Sequence, residues 1–312
     1  MTAVSRINHA TFETPDPARQ VAYYSIVMGF TVHSQTSKQA VLGSPTGQEV
    51  ICFEAGSSNR CLRIAFQVPS SVDLADARAQ LQKKEIASEI RSDITPAIGK
   101  AIAFKDPKGT VIELFSEHRP LAIPPVAGGI GPLKLGHMAF SVPDPKALAD
   151  YYIDTLGFRV SDWIEDMFVF LRCGPDHHTA NFVRGASTFM HHIAYELRDW
   201  AHLLAACDIL GRERCPIIWG PGRHRVGHNI FVYHRDPDDN IIELYTQLDL
   251  MKEEDLGAWE PRPWHKSNPQ KPAVWNRLDA MPVWGMPPSE DFRRNGAAHL
   301  STEADVLSRK GA

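Results

Sequence analysis

The sequence has no run of about 18 or more apolar residues, the length a membrane-spanning helix needs, so no membrane association is expected. It has no basic stripe. Against 33 Lys and Arg stand 37 Asp and Glu, a net charge of −4, which makes nucleic acid a poor partner. Residues 1–16, MTAVSRINHATFETPD, lack the apolar core of a secretion signal, and a cytoplasmic location is expected. Cysteine is sparse: Cys52, Cys61, Cys173, Cys207 and Cys215 are scattered, odd in number and without CxxC spacing. They read as reduced thiols, most of them buried, with no disulfide framework and no zinc cage. What remains is a chain of 312 residues, 43% hydrophobic and 22% charged, the profile of a globular protein long enough for two domains.

The chain repeats itself. SRINHATFETPDPARQVAYYSIVMGFTV (5–32) aligns with LKLGHMAFSVPDPKALADYYIDTLGFRV (133–160) without a gap, at a constant offset of 128. His9 meets His137, Pro-Asp-Pro 15–17 meets 143–145, Tyr23-Tyr24 meets Tyr151-Tyr152, and Gly29-Phe30 meets Gly157-Phe158. Further on, FKDPKGTVIELF (104–115) matches YHRDPDDNIIELY (233–245). The repeat divides the chain into domains at 1–120 and 133–250, joined by a Pro- and Gly-rich linker at 121–132. Each copy begins with an alternating strand, turns at Pro-Asp-Pro and enters an amphipathic helix. In the second copy Asp144 is the expected N-cap and Gly157 the expected stop. The pattern restarts inside each copy, at CLRIAFQV and at HHIAYEL, giving four strand–helix–strands modules.

This pattern resembles the vicinal oxygen chelate superfamily over residues 5–248. The resemblance implies an α+β fold in which four βαβββ modules pair into two open-barrel domains. On that fold His137, His192 and Glu243 occupy matched module positions and line one concave face. Two imidazoles and one carboxylate, with positions left open, make the facial triad suited to non-haem Fe(II). The first copy is an internal control. His9 and Glu113 persist there, but Arg63 replaces the second histidine. A cation cannot be a ligand, so that domain is expected to hold no metal, with His9 and Glu113 as structural polar groups paired to Arg63.

Two His–His pairs lie close together, in CGPDHHTANF (173–182) and FMHHIAYEL (189–197). With HMAFSV and GPGRHRVGHNIFVYHRDPDDNIIELYT (220–246), these stretches are similar to the type I extradiol catechol dioxygenases, on the homoprotocatechuate 2,3-dioxygenase and catechol 2,3-dioxygenase branch. The resemblance implies that His137, His192 and Glu243 bind Fe(II), or Mn(II) as in some relatives. It implies an acid–base histidine at His177 or its neighbour His178, and substrate-bonding groups at His224 and Tyr233. Strand alternation should point one histidine of each pair into the cup, with His177 favoured over His178, and His191 turned away from His192. The reaction implied is cleavage of an aromatic diol beside its two hydroxyl carbons, with both atoms of O2 incorporated. Relatives are usually homotetramers, so a homo-oligomer is expected.

The stretch 251–290 does not repeat and is rich in Trp and Pro, reading as an interface arm or a lid; residues 291–312 are polar and expected to be disordered. Relatives of the homoprotocatechuate type carry arginines for a substrate carboxylate. Here Trp219 stands at one such place and Arg277 falls too early to match the other, so an uncharged catechol fits better. Three alternatives remain: a hydroquinone dioxygenase, a glyoxalase-type isomerase and a metal-free binding protein. The His177, His224 and Tyr233 set counts against the isomerase, and an intact triad in one copy counts against the binding protein.

Overall fold

The order of strands follows from the repeat. The computed structural model describes residues 3–122, 128–253, 258–259 and 272–294. The first half comprises β1 (Arg6–Thr14), α1 (Pro17–Ile26), β2 (Thr31–Gln35), β3 (Gln39–Gly43) and β4 (Glu49–Ala55), then β5 (Arg60–Gln67), α2 (Leu74–Lys83), β6 (Ser88–Thr95), β7 (Ile98–Lys105) and β8 (Val111–Phe115). They form one sheet in the order β2-β3-β4-β1-β5-β8-β7-β6. In each module the last strand returns parallel to the first, β4 beside β1 and β8 beside β5, and β1 and β5 join the modules antiparallel.

The second half repeats this with β9 (Lys134–Val142), α3 (Pro145–Leu156), β10 (Arg159–Ile164), β11 (Phe168–Arg172), β12 (Ala180–Arg184), β13 (Phe189–Glu196), α4 (Trp200–Arg212), β14 (Trp219–Arg223), β15 (Ile230–Arg235) and β16 (Ile241–Thr246). The order β10-β11-β12-β9-β13-β16-β15-β14 matches the first sheet strand for strand. The α+β class and the four βαβββ modules expected from the sequence are therefore present.

Local chemistry sets the helix ends. Asp144 Oδ1 accepts from Ala147 N at 2.9 Å, and Gly157 closes α3 with φ +74°, a conformation that costs glycine little. The halves contact each other reciprocally. Tyr24 of α1 donates to Asp236 at 3.2 Å, and Tyr152 of α3 donates to Asp106 at 2.9 Å. Each Asp-Pro turn thus anchors the helix of the other copy. The core runs through both halves, with Phe66 edge-on to Phe158 and Phe30 edge-on to Tyr195.

The cysteine expectation needs correction. All five are free, but only Cys52 and Cys173 are buried; Cys61, Cys207 and Cys215 are half-buried. No helix among the described residues is long and apolar enough to cross a membrane.

Beyond residue 250 come β17 (Met251–Glu253), β18 (Ala258–Trp259), β19 (Ala273–Trp275), β20 (Trp284–Gly285) and α5 (Glu290–Arg294). β19 joins β10 at one edge of the second sheet and β20 joins β14 at the other. Residues 276–283 therefore run from edge to edge across the open side. Residues 291–294, expected to be disordered, belong to α5, where Phe292 is buried. The remainder of that stretch, 295–312, lies outside the described residues, as do 123–127 of the linker and 254–257 and 260–271 of the tail.

Candidate active site

One row of paired residues crosses the second sheet. Trp219 lies opposite Tyr233, Tyr233 opposite Glu243, Glu243 opposite Ala194, and Ala194 opposite His137. His192 precedes Ala194 by two positions and so shares its face. This brings together the three residues singled out in the sequence. His137 Nε2 lies 3.0 Å and His192 Nε2 3.3 Å from Glu243 Oε2, and the ligand-type atoms of all three lie within 4.8 Å of one another. All three are buried. Close packing also dictates Gly136, where a Cβ would stand 1.7 Å from the Tyr245 hydroxyl oxygen.

The donor set suits a divalent ion. His192 Nε2 is buried without a hydrogen-bond partner, which is costly unless something else engages it. Burial pushes the His137 pKa down, against the pull of Glu243, and favours neutral imidazole. Burial pushes Glu243 up, but His137 and His192 more than offset this and hold it well below the usual carboxylate range. Neutral imidazole and ionised carboxylate are the forms that bind metal. Glu243 Oε1 accepts from Asn229 Nδ2 at 2.8 Å, which fixes the carboxylate's orientation. Asn229 was missed in the sequence; it sits in the quoted GHNI stretch but carries no signal of its own.

A cavity partly open to solvent lies over this cluster. His178, His224 and Tyr233 line it. His224 Nε2 is 3.0 Å from the Tyr233 hydroxyl, and its ring stacks on Phe231. Burial lowers the His224 pKa to about 4 and raises that of Tyr233 well above its usual value, so both are neutral at pH 7.

Two expectations about orientation are overturned. His178, not His177, lines the cavity, with its ring centroid 4.3 Å from that of His137. The pair lies in the connection before β12 rather than in a strand, so alternation does not govern it. His177 instead contacts Asp162 and His178. His191 also lines the cavity instead of turning away. The pairing of β13 with β9 slips between Met190 and His192, a β-bulge that breaks the alternation. The Nδ1 atoms of His191 and His192 end 2.8 Å apart.

The tail completes the walls. Arg277, Ala280, Met281, Pro288 and Phe292 line the cavity. Trp219 Nε1 donates to Met286 O at 2.9 Å, and its ring meets Tyr233 and Phe292. Arg277, set aside in the sequence as too early, does reach the wall, but its Nε bonds Glu165 Oε2 at 3.0 Å. Ile164, Phe170 and Val226 form an apolar cluster with Phe168, Trp275 and Ala280 against them.

The first half shows the same row without the ligand set. His9 lies opposite Ala65, Ala65 opposite Glu113, and Glu113 opposite Ala103. Arg63 stands opposite Thr11, the register place that His192 holds opposite Ala139. Its Nε lies 3.4 Å from Glu113 Oε1, and its guanidinium also pairs with Glu54. Arg91 Nη1 reaches the same Glu113 oxygen at 3.1 Å. His9 does not pair with Arg63, contrary to expectation; its Nδ1 contacts Asn8 Nδ2 at 3.1 Å.

Comparison with known proteins adds the following. The profile of the Glyoxalase/Bleomycin resistance protein/Dioxygenase superfamily matches residues 6–114 and 134–244. A manganese-dependent 2,3-dihydroxybiphenyl 1,2-dioxygenase of Geobacillus genomosp. 3 is 24% identical, over 88% of this chain and 95% of its own. Among solved structures, an Mn(II)-bound glyoxalase from Novosphingobium aromaticivorans superposes with a TM-score of 0.80 at 23% identity, covering 97% of this chain and 99% of its own. The homoprotocatechuate 2,3-dioxygenase of Brevibacterium fuscum, in complex with 3,4-dihydroxyphenylacetate, also superposes at 0.80, with 24% identity over 94% and 92%. Both likenesses are of fold.

Proposed function

The chain belongs to the Glyoxalase/Bleomycin resistance protein/Dioxygenase superfamily, and we propose that it is an extradiol dioxygenase cleaving an uncharged catechol-type ring. The observation that carries this reading is the convergence of His137, His192 and Glu243 beneath a cavity walled by His178, His224 and Tyr233. The first three would hold Fe(II) or Mn(II), since imidazole and carboxylate accept either. The bound ion would supply a Lewis acid that lowers the pKa of a catechol hydroxyl and a place for O2 beside it.

The chain's own groups do the rest. Neutral His224 and Tyr233 offer hydrogen bonds to a diol oxygen from one side. His178 takes or gives the proton from the other, a contribution worth roughly 10²–10⁴-fold in rate. Ile164, Phe168 and Phe170 give the aromatic ring an apolar wall and exclude water. The substrate's lack of charge is read from Arg277: its Nε pairs with Glu165, which offsets the cation's charge toward a substrate carboxylate.

The test is anaerobic loading of the full chain with Fe(II) or Mn(II), then O2 and a panel of substituted catechols, reading the yellow ring-opened product. Uncharged catechols are expected to give colour that His192→Ala abolishes. Absence of colour with every catechol, despite one tightly bound ion per chain, overturns the reading. Hydroquinones and a glyoxalase substrate in the same assay identify the reactions that would then replace it.

A further inference from the structure

Asp162, His177 and His178 form a continuous chain of contacts that begins at the C-terminal tail and ends in the cavity. Asp162 Oδ1 accepts from the backbone N of Ala273 at 2.8 Å. Asp162 Oδ2 accepts from Trp275 Nε1 at 3.0 Å and lies 3.1 Å from His177 Nε2. His177 Nδ1 lies 3.0 Å from His178 Nδ1. Asp162, His177 and His178 are all buried.

A backbone N–H and an indole N–H can only donate. Both carboxylate oxygens are therefore acceptors, and His177 must present a proton at Nε2. The contact between the two Nδ1 atoms needs one donor and one acceptor, and with the ring proton of His177 placed at Nε2 the donor is His178. That leaves His178 with its proton on Nδ1 and with Nε2 bare.

We propose that Asp162 and His177 are positioning residues that fix the tautomer of His178, so that His178 enters the reaction as a base through Nε2, and that docking of strand β19 completes the set. This rests on the dioxygenase reading above. In the step it serves, a substrate O–H bond breaks, an Nε2–H bond forms, and the substrate oxygen keeps the electron pair. The resulting imidazolium of His178 is stabilised through His177 by the Asp162 carboxylate. The tail residues 273–275 thus belong to the acid–base apparatus as well as to the wall of the cavity.

Two variants separate positioning from mere packing. In His177→Gln the amide can donate to Asp162 through Nε2 and accept from His178 through Oε1, so the tautomer is preserved. In His177→Leu both contacts vanish. Nitrogen chemical shifts of the full chain, labelled at histidine and measured without metal, read the tautomer independently of activity. The wild type and His177→Gln are expected to carry the His178 proton on Nδ1, and His177→Leu to move to a mixture or to Nε2. In the metal-loaded enzyme His177→Leu is expected to lower kcat roughly 10–100-fold with KM and metal content unchanged, and His177→Gln to recover most of it. A wild-type His178 protonated at Nε2, or a His177→Leu variant with unchanged tautomer and kcat, overturns the proposal. Should the wild type cleave no diol, the dioxygenase reading fails while the tautomer still decides this one.

Discussion

The two halves of the chain share strand order, register and a His–Ala–Glu row, and they part at the residue opposite Thr11 in one and Ala139 in the other. In the second half that residue is His192, whose Nε2 is left without a hydrogen-bond partner beside Glu243. In the first it is Arg63, a permanent cation that bonds Glu113 and Glu54 from within the chain. Both halves neutralise a buried glutamate. One does it with a fixed guanidinium and ends as structure. The other sets two imidazoles beside Glu243 in place of a guanidinium, and the proposed metal would meet the charge that remains.

The comparison can be broken most sharply at the ligands. His137→Ala or Glu243→Ala is expected to abolish ring cleavage, whereas His9→Ala leaves kcat within a few-fold. A steady-state assay at saturating metal reads the difference. Next in size is the stability of the first half. Arg63→Met strips Glu113 of one buried partner and leaves Arg91; removing one partner of a buried pair costs about 3 kcal/mol or more. The urea midpoint should fall while activity per folded molecule is kept. A drop in kcat at unchanged stability would show that the first half is not merely structural. Arg63→His is the converse experiment. Placed beside His9 and Glu113, the new imidazole should give the first half affinity for a second divalent ion, read by calorimetric titration.

Glu165→Gln sharpens the account of the substrate. It frees Arg277 from its ion pair, and the KM for a carboxylated catechol should fall roughly tenfold, about 1.4 kcal/mol, with uncharged catechols unaffected. The last expected effect is on acid stability. Burial, with Arg63 and His118 nearby, lowers the His9 pKa to about 3, so it is neutral in the fold. The unfolded chain takes up a proton below about 6.5 and the folded chain does not. The stability that His9 contributes is therefore full above pH 6.5 and falls by up to about 1.4 kcal/mol per unit towards pH 3. His9→Gln should lower the slope by one proton in urea titrations between pH 7 and 5, where most carboxylates remain ionised, with the share of His224 left in place.

Much of the fold was legible because the opening module of each copy aligns without a gap: His9 and His137, or the two Pro-Asp-Pro turns, share one offset, and equal offsets imply equal modules. The matched module positions of His137 and Glu243 followed from the repeat, and the place of Tyr233 from the family resemblance. The orientations of the His–His pairs did not. Alternation assumes a regular strand, and the bulge at His191 and the irregular connection holding His178 are properties of pairing, which no local pattern reports. The contacts of Asp162, Arg277 and Phe292 could not be read for another reason. They depend on where the tail crosses the sheet, and the tail has no counterpart in the first half against which to align it.

The most direct test of the difference between the halves is a count of metal ions. The full chain, loaded anaerobically with Fe(II) and desalted, should hold one ion per chain, as should His9→Ala, while His192→Ala should hold none. Retention of the ion by His192→Ala, or its loss from His9→Ala, would contradict the assignment of the site to the second half.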